Sequence, residues 1–178
     1  MAVKKKKAVG LKAKTVSVYL EAESIQGRKP VLLFTASQVD EVLAEAHIQP
    51  LPFASEYLVG LCAWREQVLP TIDLVRFFGL SSSQNEEGGR YLVVRAVKTH
   101  ASDQKENIHP AKTMLRCVLK VSDQIISGNI PEGCQAVVPK EQGFASAFVR
   151  GLFQGEKELF ILPDITAIIH SNSLGGGE

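Results

Sequence analysis

One short hairpin unit occurs twice in the chain and limits what it can fold into. Leu58-Val59-Gly60-Leu61 matches Val149-Arg150-Gly151-Leu152. In each copy an Asp stands thirteen residues after the Gly (Asp73, Asp164) and a short apolar helical segment follows. The prolines do not keep a common offset (Pro70, Pro163), so the match rests on the Gly-to-Asp spacing. A repeated unit of this kind implies two similar small β units. Many short strands punctuated by Gly and Pro point the same way, to barrels or a sandwich, because closure removes exposed strand edges.

The other segments fit that class. Val16 to Leu20 opens the periodic sequence, and a turn at Gln26-Gly27-Arg28 leads to the apolar run Val31 to Phe34. Val39 to Ala46 has apolar residues at helical spacing but is short, which leaves helix and strand both open. Pro50-Leu51-Pro52 ends it. Tyr57 to Ala63, a polar turn at Arg65-Glu66-Gln67, and Val68 to Ile72 read as a hairpin. Asp73 before Leu74 to Phe78, closed by Gly79, has the pattern of an N-cap, a short helix and a C′ glycine. Ser81 to Gly89 reads as a loop, and Arg90 to Val97 and Met114 to Val121 as strands. Between those strands, Lys98 to Lys112 has almost no apolar residue and is expected to be a long mobile loop. A second hairpin, Ala147 to Leu162, precedes Asp164 and the apolar segment Ile165 to Ile169. The domain expectation is a basic disordered tail over 1–14, a folded region over 15–170 and a flexible tail over 171–178.

Composition excludes several classes. The chain has 178 residues, 45% hydrophobic and 22% charged, which is enough for a core and argues against wholesale disorder. No apolar run approaches the ~18 residues of a membrane span, and no secretory signal pattern is read at the start, so no membrane insertion is expected. The three cysteines, Cys62, Cys117 and Cys134, lack metal-ligand or redox spacing and fit a reducing, cytoplasmic setting. No metal site and no cofactor is expected. Six lysines fall within the first fourteen residues, so the rest of the chain carries more acids than bases. A mildly acidic body is a poor sequence-independent binder of nucleic acid.

The sequence holds no G-x-S-x-G, P-loop, H-E-x-x-H or G-x-G-x-x-G pattern, and no catalytic residue is assigned. Asp73 and Asp164 are explained as helix caps without any acid–base chemistry. Gly60, Gly79 and Gly151 belong with them as turn residues. Trp64 and Arg65 fall at or beside the first hairpin tip, and both types are enriched in binding hot spots. The alternative is a Trp packed beneath its own hairpin and an Arg in solvent.

This hairpin also carries a family resemblance. The stretch from Pro50 through Gly60, Trp64, Arg65, Pro70, Asp73 and Leu74 to Phe78-Gly79-Leu80 resembles the CheW-like adaptor family. That family has a Pro before the hairpin, a Gly, Asn-x-Arg-Gly, then Val-Ile-Pro-x-Ile-Asp-Leu and a Phe-Gly-Leu-like helix end. The resemblance continues through Arg90 to Val97, Arg116 to Ile126 and Phe148 to Ile169. It implies a mainly β fold of two small five-stranded SH3-like β-barrels packed together, with short helices. It also implies a non-enzymatic, cytoplasmic adaptor that couples chemoreceptor tips to the regulatory domain of a CheA-like histidine kinase in bacterial chemosensory signalling. Partner binding is then expected at Trp64, Arg65, Glu66, Val68 and Pro70.

The chain departs from the family where Asn-x-Arg-Gly becomes Ala63-Trp64-Arg65-Glu66. Gly at a hairpin turn permits φ > 0, so Glu66 is expected to alter the turn and, with Ala63, to weaken the standard receptor contact. Two rival readings differ in class. A small β-barrel nucleic-acid binder using the lysine arm requires aromatic and basic residues interleaved on one face. Only 7% of residues are aromatic, and bases are not read as clustered outside the arm. A small hydrolase requires a nucleophile–base pair, and none is evident.

Overall fold

The computed structural model describes residues 14–82, 89–99, 112–122, 124–129, 132–139, 143–144 and 146–171. In chain order the elements are β1 (Thr15–Tyr19), β2 (Lys29–Thr35), β3 (Val39–Leu43), β4 (Ile48–Gln49), β5 (Leu58–Trp64), β6 (Gln67–Asp73), α1 (Leu74–Phe77), β7 (Arg90–Thr99), β8 (Lys112–Val121), β9 (Ile125–Gly128), β10 (Gln135–Ala136), β11 (Val149–Gln154), β12 (Glu158–Pro163) and α2 (Ile165–Ser171). The fold is mainly β. Val39 to Leu43, which the sequence left open, is a strand. Lys98, Thr99 and Lys112, expected in the loop, extend β7 and β8. The rest of that loop, residues 100–111, lies outside the described residues, as do 1–13 and 172–178 of the expected tails 1–14 and 171–178; Lys14 O accepts the Ala36 N–H and Ser171 ends α2.

The strands form two sheets, ordered β10-β11-β12-β2-β1-β9 and β3-β7-β8-β6-β5-β4. Each has five strands of four or more residues and one of two residues. The sheets are not successive halves of the chain. β1 and β2 pair with each other and join the C-terminal strands, so the second sheet is inserted in sequence between parts of the first.

The repeated hairpins occupy equivalent places in the two sheets. β5 pairs with β6, and β11 with β12, each with a bulge just before the glycine. Asp73 N–H donates to Tyr57 O at 2.8 Å, and Asp164 N–H donates to Phe148 O at 2.8 Å. β6 then runs parallel to β8, and β12 parallel to β2. Both helices begin at the Asp. Asp73 Oδ1 accepts from the N–H groups of Val75 and Arg76, and Asp164 Oδ1 from that of Ala167. α1 closes with Gly79 at φ +64°, Gly79 N–H on Arg76 O and Leu80 N–H on Val75 O. Those paired bonds are a Schellman cap, which satisfies carbonyls the helix leaves open.

Alternation along the strands divides the apolar residues among three cores. Successive side chains point to opposite faces. Leu92 and Val94 of β7, Cys117 and Leu119 of β8, Leu32 and Phe34 of β2, and Leu159 and Ile161 of β12 meet in one large core between the sheets. Val93 and Val118 turn the other way, into a smaller core with Cys62, Trp64 and Leu69. Val31, Leu33 and Phe160 likewise form a third. The inner strands are therefore buried on both faces, which is why they read as continuous apolar runs. Tyr57, Phe77, Phe78, Phe144 and Phe148 link the helical segments through edge-to-face contacts, with centroids 5.0–5.4 Å apart.

Gly60 and Gly151 differ in what they permit. Gly60 has φ +155°, and a Cβ there would lie 2.3 Å from Gln49 O in β4. A Cβ on Gly151 would meet side chains and no backbone, the Phe153 ring at 3.0 Å and Leu162 Cβ at 3.9 Å. Gly60→Ala should therefore cost about 2–3 kcal/mol in urea unfolding, against about 1 kcal/mol or less for Gly151→Ala. Equal costs would show that β4 does not seat on β5 as described.

Candidate partner-binding surface

The two hairpins share a backbone but not a surroundings. The second tip is pinned: Lys29 N–H donates to Lys157 O at 2.9 Å, and Arg28 Nε donates to Gly155 O at 3.3 Å. β12 pairs with β2 from its first residue, Glu158. β6 joins β8 only from Thr71, so its first four residues and the tip have no ladder pairing with that neighbour. Val68, on this free portion, is 69% exposed. Across the hairpin it pairs with exposed Ala63, and half-buried Pro70 pairs with Leu61. The outer face is thus a narrow apolar strip ending in Arg65 and Glu66.

Trp64 pairs with Gln67, which leaves Arg65 and Glu66 as a two-residue turn. The left-handed residue is Arg65, at φ +54°, and not Glu66. The strain of the lost glycine motif therefore falls one residue earlier than the sequence suggested, and side-chain contacts oppose it. The Arg65 guanidinium lies 4.4 Å from the Trp64 ring centroid and 3.3 Å from Glu41 Oε2. The same oxygen accepts the Trp64 Nε1–H at 2.8 Å. Cation–π attraction and a shared carboxylate hold the turn from below.

Trp64 is only 6% exposed and packs with Cys62, Leu69, Val93 and Val118. Of the five residues assigned to binding, the structure brings Arg65, Glu66, Val68 and part of Pro70 to the surface, while Trp64 supports them. Beneath them lies a cluster that sequence reasoning missed. Arg116 Nε donates to Asp40 Oδ2 at 2.7 Å, and its guanidinium lies 5.7 Å from the Trp64 ring centroid. Arg95 Nε is 3.4 Å from Asp40 Oδ1 and donates to Ser37 O at 2.7 Å. A bulge between Val39 and Glu41 in β3 explains how consecutive carboxylates serve one cluster, since a regular strand sends neighbours to opposite faces. The available signal was the acidic pair Asp40-Glu41 inside an otherwise apolar-spaced stretch.

The described residues include three cysteines and an Asp164 carboxyl with shifted acidities. No group of three or more His, Cys, Asp or Glu among them could hold a metal ion. Burial raises the Cys62 and Cys134 thiols and pushes Cys117 up to about 12, so none is a ready nucleophile. Burial also pushes the Asp164 carboxyl up. The Arg150 guanidinium at 2.9 Å and the N–H groups at the start of α2 outweigh it and hold the carboxyl below its ordinary value. That is the signature of a paired helix cap. No helix among the described residues is long and apolar enough to cross a membrane.

Comparison with known proteins agrees with this geometry. The CheW-like domain family matches residues 24–104, which include β3 to β7 and the whole first hairpin. The structure resembles that of the scaffolding protein TtCheW from Thermoanaerobacter tengcongensis, with a TM-score of 0.57 at 19% sequence identity, over 91% of each chain. No curated protein matches the chain in sequence. The chain is similar to the CheW-like family over residues 24–104 and shares the fold of TtCheW.

The chain has one tryptophan, so its fluorescence reports the support of the tip. Glu41→Ala should shift Trp64 emission and cost about 1–3 kcal/mol, because a mostly buried indole N–H loses its acceptor. Unchanged emission and stability would show that Glu41 does not hold the turn.

Proposed function

We propose that this protein is a non-enzymatic, cytoplasmic scaffold that couples chemoreceptors to a CheA-type histidine kinase in a bacterial chemosensory pathway. The observation that carries the reading is the asymmetry of the hairpin tips on a CheW-like fold. One tip is tied into its sheet, and the other presents Arg65 and an apolar strip on a braced support. An anchor held in its bound geometry loses little entropy on docking. The CheW-like domain match and the scaffolding role named for TtCheW support the reading. Residues 15–170 act as the functional unit, flanked by the tails 1–14 and 171–178.

Kinase binding uses Arg65, Val68 and Pro70, with Trp64 as their support. Glu66 adds an exposed negative charge at the turn. It disfavours an acidic receptor tip and favours a partner offering a cation.

Titration calorimetry against the isolated regulatory domain of a CheA-type kinase tests this. Arg65→Ala should keep the melting temperature within a few degrees and weaken binding about tenfold or more, as for a hot-spot residue. Glu66→Gly should leave kinase affinity nearly unchanged and strengthen binding to a chemoreceptor cytoplasmic fragment. If neither substitution alters either affinity, the tip is not the interface.

A further inference from the structure

β7 and β8 pair along their full length, but their neighbours stop short. β3 leaves β7 after Val39↔Val94, and β6 meets β8 only at Val118, Leu119 and Lys120. The outer part, Arg95–Thr99 against Lys112–Arg116, is a two-stranded ribbon whose flanks have no strand partner among the described residues. An unpaired edge offers main-chain N–H and C=O groups that an extended segment can bond.

The ribbon is also cationic. The sequence reading found no clustering of bases outside the N-terminal arm, yet β7 and β8 carry Arg90, Arg95, Lys98, Lys112, Arg116 and Lys120 and no acid at all. In its outer half the carboxylate seen against Arg95 and Arg116 is Asp40. Val97 and Met114 face each other across the ribbon and are 49% and 46% exposed. On its β7 side the ribbon borders a groove of about 430 Å³ between the two sheets, lined among others by Ser37, Gln38, Arg95, Val97, Arg150 and Leu162.

We propose that the β7 edge from Arg95 to Thr99 is a strand-addition site for an extended acidic segment of a partner protein. Only an extended segment uses the free main-chain groups of the edge. Alternation sets its pattern. Side chains opposite Arg95 and Lys98 are acidic, that opposite Val97 is apolar, and that opposite buried Ala96 is small. An antiparallel segment therefore reads acidic, apolar, small, acidic. A second copy of this chain is disfavoured, because edge-to-edge pairing would set Arg95 and Lys98 against like charges. The edge shares Arg95 with the Asp40 cluster under the hairpin tip but contains no residue of the tip itself, and it does not depend on the role given to Arg65.

The test uses the full chain and a short labelled synthetic peptide with that acidic–apolar–small–acidic core. A lysine-substituted peptide of the same pattern and a single-stranded oligonucleotide of equal charge serve as comparisons. Fluorescence anisotropy should show the acidic peptide binding, with Lys98→Glu lowering affinity about tenfold and leaving the melting temperature unchanged. Amide exchange within Arg95–Thr99 should slow in the complex at the N–H groups that face the open edge, which alternate with those turned toward β8. Arg65→Ala should not alter this binding. Three results would overturn the proposal: no binding of the acidic peptide, binding without slowed exchange, or tighter retention of the oligonucleotide.

Discussion

The apolar layer between the two sheets is the constraint on which the rest depends. Leu32, Phe34, Leu92, Leu119, Leu159, Ile161, Ile165 and Ile168 are all almost wholly buried there, and they come from both sheets and from α2. Each such side chain contributes roughly 1.5–3 kcal/mol through removal from water. The smaller cores on the outer faces hold only a few residues each, too few to hold a sheet by themselves. Neither sheet is complete without its partner, and the chain path enforces this by placing β1 and β2 with the C-terminal strands.

Much of this was legible in local patterns. Asp73 and Gly79 announced a cap and a helix stop, and the Gly-to-Asp spacing announced the second copy, although Gly60 and Gly151, taken as turn residues, lie inside β5 and β11 after bulges. These features are set by residues within a few positions of one another. Assignment of β1 and β2 to the far sheet was not legible, because parallel pairing of β2 with β12 joins segments more than a hundred residues apart. Val39 to Leu43 defeated periodicity because a bulge shifts its register by one residue. Lys98 and Lys112 were read as loop because strand pairing there relies on the partner strand and not on apolar content.

The binding surface shows the same division. Arg65 was readable as a hairpin-tip cation, but the fate of Trp64 was not, since a Trp beside a turn fits either side of the sheet. Pairing decides it: Cys62 and Trp64 share the inward face of β5, while Ala63 faces out. Glu41, Asp40, Arg95 and Arg116 then become the support of the tip, which no local motif announces. A rigid underside and an exposed strip suit a protein that works by docking.

The two sheets stand or fall together through their shared core. Equilibrium denaturation tests it with one probe on each side: Trp64 fluorescence for the second sheet, and hydrogen exchange at the β2 amides Val31 to Phe34 for the first. One transition is expected, with the same midpoint and the same free energy from both probes. Loss of β2 protection while Trp64 remains native, or the reverse, would contradict it.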